Sequence, residues 1–191
     1  MARLPDLPAG QAAGQAPRPE REPAVVHVVG KSNSGKTLLV VRLVRELRRR
    51  GYQVGTIKHA SHGFDLDKRG KDSWRHFQAG SEATVVVSPR RLAMVKRTSG
   101  EPQMEEALRL AGAGCDLVLV EGYKSYPGLK IEVHRRSLGS GLMTNADGLL
   151  AVVSDATPEV AVPVFRPRDV TAVADLLERE VLGTSQRMGN G

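Results

Sequence analysis

A chain of 191 residues and 20.6 kDa has room for one α/β domain with a substantial core and too little for two. Its single cysteine, Cys115, excludes an intramolecular disulfide and the Cys-rich zinc patterns, which points to a reducing, cytoplasmic setting. The formal charge of +7 favours polyanionic partners, but with aromatic residues at only 4% there is no base-stacking platform, so phosphorylated small molecules fit better than nucleic acid.

Residues 1–23 are rich in Ala, Pro, Gly and Gln and hold no apolar run of signal-peptide length, so they are expected to form a disordered tail. Residues 24–183 are expected to form the folded domain and 184–191 a flexible end. Ala24 to Val29 (AVVHVV) is a short β-branched run ending in a Gly-rich turn, which predicts a buried strand. Leu38, Leu39, Val41, Leu43, Val44 and Leu47 then recur at helical spacing, with Gly51 as the stop. Further strands are predicted at Tyr52 to Ile57, Ala83 to Val87, Asp116 to Val120, Leu149 to Val153 and Val162 to Phe165. Helices are predicted at Asp72 to Ala79, capped by Asp72 or Ser73, at Gln103 to Ala111 and at Val170 to Leu182. Several of the strands are apolar without alternation, as in a mostly parallel sheet covered by helices on both faces. Leu92 to Val95 and Lys130 to Val133 read as short antiparallel additions. No segment reaches the ~18 to 20 apolar residues of a membrane span, so no membrane partner is expected.

GKSNSGKT, Gly30 to Thr37, satisfies G-x-x-x-x-G-K-[ST] and lies between a predicted strand and a predicted helix, as a phosphate loop must. Gly30 and Gly35 let successive N–H groups of Ser32, Asn33 and Ser34 turn inward, and the helix start at Leu38 adds partial positive charge. Lys36 supplies a full charge to the β and γ phosphates, and the Thr37 hydroxyl is placed to ligate Mg²⁺. The fold class is therefore an α/β P-loop NTPase.

Ligands of open parallel sheets bind beyond the carboxyl ends of the strands, which selects the remaining candidates. Glu121 follows DLVLV and is placed to hold a Mg²⁺-bound or attacking water. Asp116, at the other end of that strand, reads as structural. Lys58 and His59 follow the second strand and open a charged loop, in which Asp65 and Asp67 are candidate catalytic carboxylates near Mg²⁺. In the same loop Lys68, Arg69 and Lys71 are candidate contacts for a second anion. His59 and His62 with those carboxylates also suggest a transition-metal site, although the spacing matches no sharper zinc pattern. TNAD, Thr144 to Asp147, superficially suits guanine recognition but precedes a strand. Asp155 follows one, and its carboxylate suits the N1–H and exocyclic amine of guanine, which favours GTP over ATP.

Three stretches, GKSNSGKT, KHASHGFDLDKRGKDSWRHFQAG and DLVLVEGYK followed by LKIEV, resemble the MobB family of molybdopterin-guanine dinucleotide biosynthesis adaptors. The likeness covers about Val25 to Leu182, with Ser61 and Leu38 departing from the usual family residues. It implies GTP binding, at most weak GTP hydrolysis and a homodimer. It further implies a partner, the MobA-type nucleotidyltransferase that joins GMP to molybdopterin bearing molybdenum. The competing readings are an ATP-dependent small-molecule kinase or ligase, a nickel-insertion GTPase and a basic nucleic-acid binder.

Overall fold

The computed structural model describes residues 22–60, 63–64, 67–139, 141–144 and 147–183; the tail assigned to 1–23 and the end at 184–191 fall almost wholly outside these. In chain order the elements are β1 (Ala24–Val29), α1 (Lys36–Arg49), β2 (Val54–Lys58), α2 (Asp72–Gln78), β3 (Ala83–Ser88), β4 (Arg91–Lys96), α3 (Met104–Gly112), β5 (Leu117–Glu121), β6 (Leu129–His134), β7 (Leu149–Ser154), β8 (Val164–Phe165) and α4 (Val170–Leu177). A 3₁₀ turn forms at Arg136–Leu138, and α4 widens into a π-type turn over Glu178–Leu182.

Six parallel strands form one sheet in the order β2-β5-β1-β6-β7-β8, with β1 near its centre. Alternate residues explain why the central strands read as continuous apolar runs. Leu117 and Leu119 of β5 meet Val26 and Val28 of β1 and the apolar faces of α1 (Leu39, Leu43, Leu47) and α4 (Val173, Leu177). Val118 and Val120 point the other way, onto Met104 of α3. Both sheet faces are thus covered by helices where β5 and β1 run. Among the described residues no helix is long and apolar enough to cross a membrane.

Three expectations need correction. The run from Ala83 does not enter the parallel sheet. It pairs with β4 in a separate antiparallel ribbon, so the antiparallel addition expected at Leu92 to Val95 is present. Lys130 to Val133 is no antiparallel addition; it belongs to β6, parallel to β1 and β7. Its alternating Lys130, Glu132 and His134 imitate a half-exposed strand, yet all three are buried, because the β6–β7 connection covers that face. Glu132 accepts the N–H groups of Met143 and Thr144 at 2.7 and 2.9 Å, and His134 donates from Nε2 to the Gly139 carbonyl at 2.9 Å. Finally, neither Asp72 nor Ser73 caps α2: Lys71 occupies the cap position and makes no side-chain cap hydrogen bond.

Candidate nucleotide-binding site

β1 delivers Val29 to the middle of the sheet's carboxyl edge, and the chain must climb from there into α1 within six residues. Gly30 is required twice over. Its φ is +140°, and a Cβ there would stand 2.2 Å from the Val133 carbonyl oxygen of β6. Asn33 and Gly35, at φ 60° and 104°, complete the turn. Lys36 folds back across the loop, and its ammonium donates to the carbonyls of Gly30 (3.0 Å) and Lys31 (2.8 Å). Beneath it the Ser34 hydroxyl is buried with no hydrogen-bond partner among the described residues. A cradle of turned backbone, a helix start and a cation in its mouth suit a chain of phosphates.

Thr37 lies in the first turn of α1 and Glu121 closes β5, the strand beside β1. The threonine hydroxyl donates to Glu121 Oε1 at 2.7 Å. Two hard oxygen ligands at the rim of a phosphate cradle, with room for water, suit Mg²⁺. Mg²⁺ held by these two side chains would neutralise the γ end of a triphosphate, which would put the γ end on the β5 side and the α end on the β6 side.

At the γ end the loop opens into a cleft of about 1280 Å³. Its walls are Gly30, Ser32, Asn33, Gly35, Lys36, Thr37 and Leu38 on one side, Lys58 and His59 at the end of β2, the approach to α3 from Glu101, and the segment from Glu121 to Pro127. His59 is half-buried, stacks on Tyr123 with ring centres 4.1 Å apart, and bonds from Nε2 to Glu101 Oε1 at 3.1 Å. Tyr123 has φ +53°, an uncommon conformation for a bulky residue. Burial raises the pKa of its hydroxyl, and the bond to Glu101 adds to the shift.

The other end of the loop is held by the segment after β6. Arg135 donates from Nε to the Ser34 carbonyl at 3.0 Å, and Lys31 Nζ reaches the Leu138 carbonyl at 2.7 Å. Asp155 lies where expected, just past β7, and accepts the N–H of Arg136 at 2.9 Å; that bond, chiefly, holds its carboxyl below the usual range. It does not line the γ-end cleft.

The predicted loop residues, Lys58, His59 and Glu121 therefore converge. Asp67 does not join them: it accepts the N–H of Lys68 at 2.7 Å and lines a small pocket with Trp74 and Phe77. Asp65, His62 and Ser61 lie outside the described residues, as do Asn145 and Ala146 of TNAD. Lys68, Arg69 and Lys71 stand away from the cleft, Arg69 over the Trp74 ring. Asp116 is structural as read, accepting the N–H of Gln53 at 2.7 Å. Sequence reasoning missed Arg135, Lys31, Glu101, Tyr123 and Lys124. A signal for Arg135 exists, since it directly follows a strand, but that strand reads from its sequence as a short antiparallel addition.

Residues 25–155 match the family model described as molybdopterin guanine dinucleotide synthesis protein B. The chain belongs to the MobB family. It is 34% identical over 152 residues to a molybdopterin-guanine dinucleotide biosynthesis adapter protein of Haemophilus influenzae, covering 79% of this chain and 85% of that one. The adapter of Escherichia coli is 35% identical over 152 residues, with 76% and 86% covered. Among solved structures, Bacillus subtilis MobB superposes with a TM-score of 0.65 at 27% identity, covering 82% of this chain and 99% of that one. A parallel sheet with a P-loop and a separate antiparallel ribbon is thus the fold of this MobB-family chain.

Proposed function

We propose that this MobB-family chain is a GTP-binding adapter that assists attachment of GMP to molybdopterin in molybdenum-cofactor biosynthesis, with at most weak GTPase activity of its own. One observation carries the reading: a complete phosphate loop faces Glu121 across Thr37, within a chain matched over residues 25–155 by the molybdopterin guanine dinucleotide synthesis model. The names of the H. influenzae and E. coli relatives support the adapter role.

Gly30 to Thr37 would hold the triphosphate, with Lys36 exchanging its two loop carbonyls for phosphate oxygens. Thr37 and Glu121 would hold Mg²⁺, which neutralises phosphate charge when bound. Asp155 would read guanine beyond the α end. Its carboxylate stays ionised and has one oxygen free of the Arg136 bond. Lys58 and Lys124 line the γ-end cleft as candidate contacts for a second anion or a partner, whereas Lys68, Arg69 and Lys71 would serve a partner outside it.

The working assembly would be a cytoplasmic homodimer that meets a MobA-type nucleotidyltransferase. An adapter that supplies bound GTP to the transferase should have its greatest effect when free GTP is scarce. The test is guanylylation of molybdopterin by that transferase at limiting GTP, with and without this chain. Stimulation by the parent, reduced at least tenfold for Lys36→Ala, is expected. Absence of stimulation at any GTP concentration would remove the adapter assignment.

A further inference from the structure

Arg135 occupies the end of the phosphate loop opposite Glu121. β1 lies between β5 and β6 in the sheet, so the Thr37–Glu121 contact and Arg135 flank the loop from opposite sides. The guanidinium rests against the start of α1. Its Nε donates to the Ser34 carbonyl at 3.0 Å, and its Nη2 lies 3.6 Å from where a Cβ on Gly35 would stand. Guanidinium carries five N–H donors, and one is used among the described residues.

The backbone beneath Arg135 is fixed on every side. Lys31 Nζ holds the Leu138 carbonyl at 2.7 Å, His134 Nε2 holds that of Gly139 at 2.9 Å, and the next N–H, of Arg136, is held by Asp155 at 2.9 Å. His134 is itself buried and anchored through Nδ1 to the Ser154 hydroxyl at 2.9 Å. Such support exceeds what a solvated surface arginine needs, and it sets Nη2 of the fork beside Gly35 at the start of α1. A planar, permanently charged fork in that position suits a phosphate oxygen.

Resting on the nucleotide reading above, we propose that Arg135 contacts the α phosphate of the bound nucleotide, and that residues 135–139 form a strap positioning it. The strap also joins the base end to the phosphate loop, since Asp155 and Ser34 are both bonded to it.

The experiment measures Mg²⁺-dependent affinity for GTP, GDP and the two diastereomers of GTPαS, in the parent, Arg135→Ala and Arg135→Lys. GTP and GDP share an α phosphate, so Arg135→Ala should weaken both by a similar factor, about tenfold or more. The parent should prefer one GTPαS diastereomer, the preference should shrink several-fold in Arg135→Ala, and Arg135→Lys should restore part of the affinity. If affinity falls but the diastereomer ratio stays at the parental value, Arg135 only staples the loop and the α-phosphate contact is wrong. Loss confined to GTP would move Arg135 to the γ end, equally against the proposal. If Arg135→Ala is unstable, the ratio in Arg135→Lys decides alone. A parent that binds neither GTP nor GDP rejects the nucleotide reading itself, an outcome distinct from a parent that binds both while the variants change nothing.

Discussion

Thr37 and Glu121 stand 84 positions apart in the chain, yet 2.7 Å separates their oxygens, because β1 and β5 are adjacent and parallel and both end at the same rim. The contact assigns a division of labour at the residue scale. In the proposed complex Lys36 and the loop amides would bear the phosphates, whereas Glu121 would face the metal and any water near it. Glu121→Gln is therefore expected to keep GTP affinity within about tenfold while lowering hydrolysis by ~10² or more, since it removes a charge near metal or water and no phosphate contact. Parallel titration and single-turnover assays check this, and unchanged hydrolysis would reduce Glu121 to a strand-end residue. The neighbouring Tyr123 adds a second local device. Its left-handed backbone is tolerated where surrounding contacts hold it, here the His59 ring and Glu101.

At the element scale, the phosphate loop was legible because its residue types and its place between strand and helix are both dictated by phosphate chemistry. β5 was legible because Leu117–Val120 is buried on both faces. β6 was not. Its buried Lys130, Glu132 and His134 follow the alternation of an exposed edge, and only tertiary partners, the Met143 and Thr144 amides above all, make that burial tolerable. Arg135 was lost with it. The ribbon of β3 and β4 was misplaced for the opposite reason: Val85, Val86 and Val87 look like a core strand but are 50%, 48% and 72% exposed. The cross-strand pairs Val85 with Met94 and Val87 with Leu92 gather on one face of the ribbon, apolar and open. A two-stranded ribbon is marginal alone, and such a face favours burial against a second copy. In the proposed homodimer this ribbon would be the contact, so Val87→Asp combined with Leu92→Asp should convert a dimer to a monomer in light scattering and leave GTP binding in place. A variant that remains dimeric would put the interface elsewhere.

At the scale of the whole molecule, the sheet order separates two ends of one ligand path. The β5 side opens into the cleft walled by His59, Glu101 and Lys124, where the γ end would lie, and the β6 side is closed by the strap that carries Arg135 and touches Asp155, where the α end would lie. The first is roomy enough for a second ligand or a partner's segment, and the second is built for recognition. The most direct test is calorimetric titration of GTP and of ATP with Mg²⁺ into the parent and into Lys36→Ala. GTP is expected to bind the parent more tightly than ATP does, and Lys36→Ala is expected to lose about 2 to 5 kcal/mol of GTP binding, some thirtyfold at the least. A parent that prefers ATP, or a folded Lys36→Ala that binds GTP as the parent does, would contradict the account.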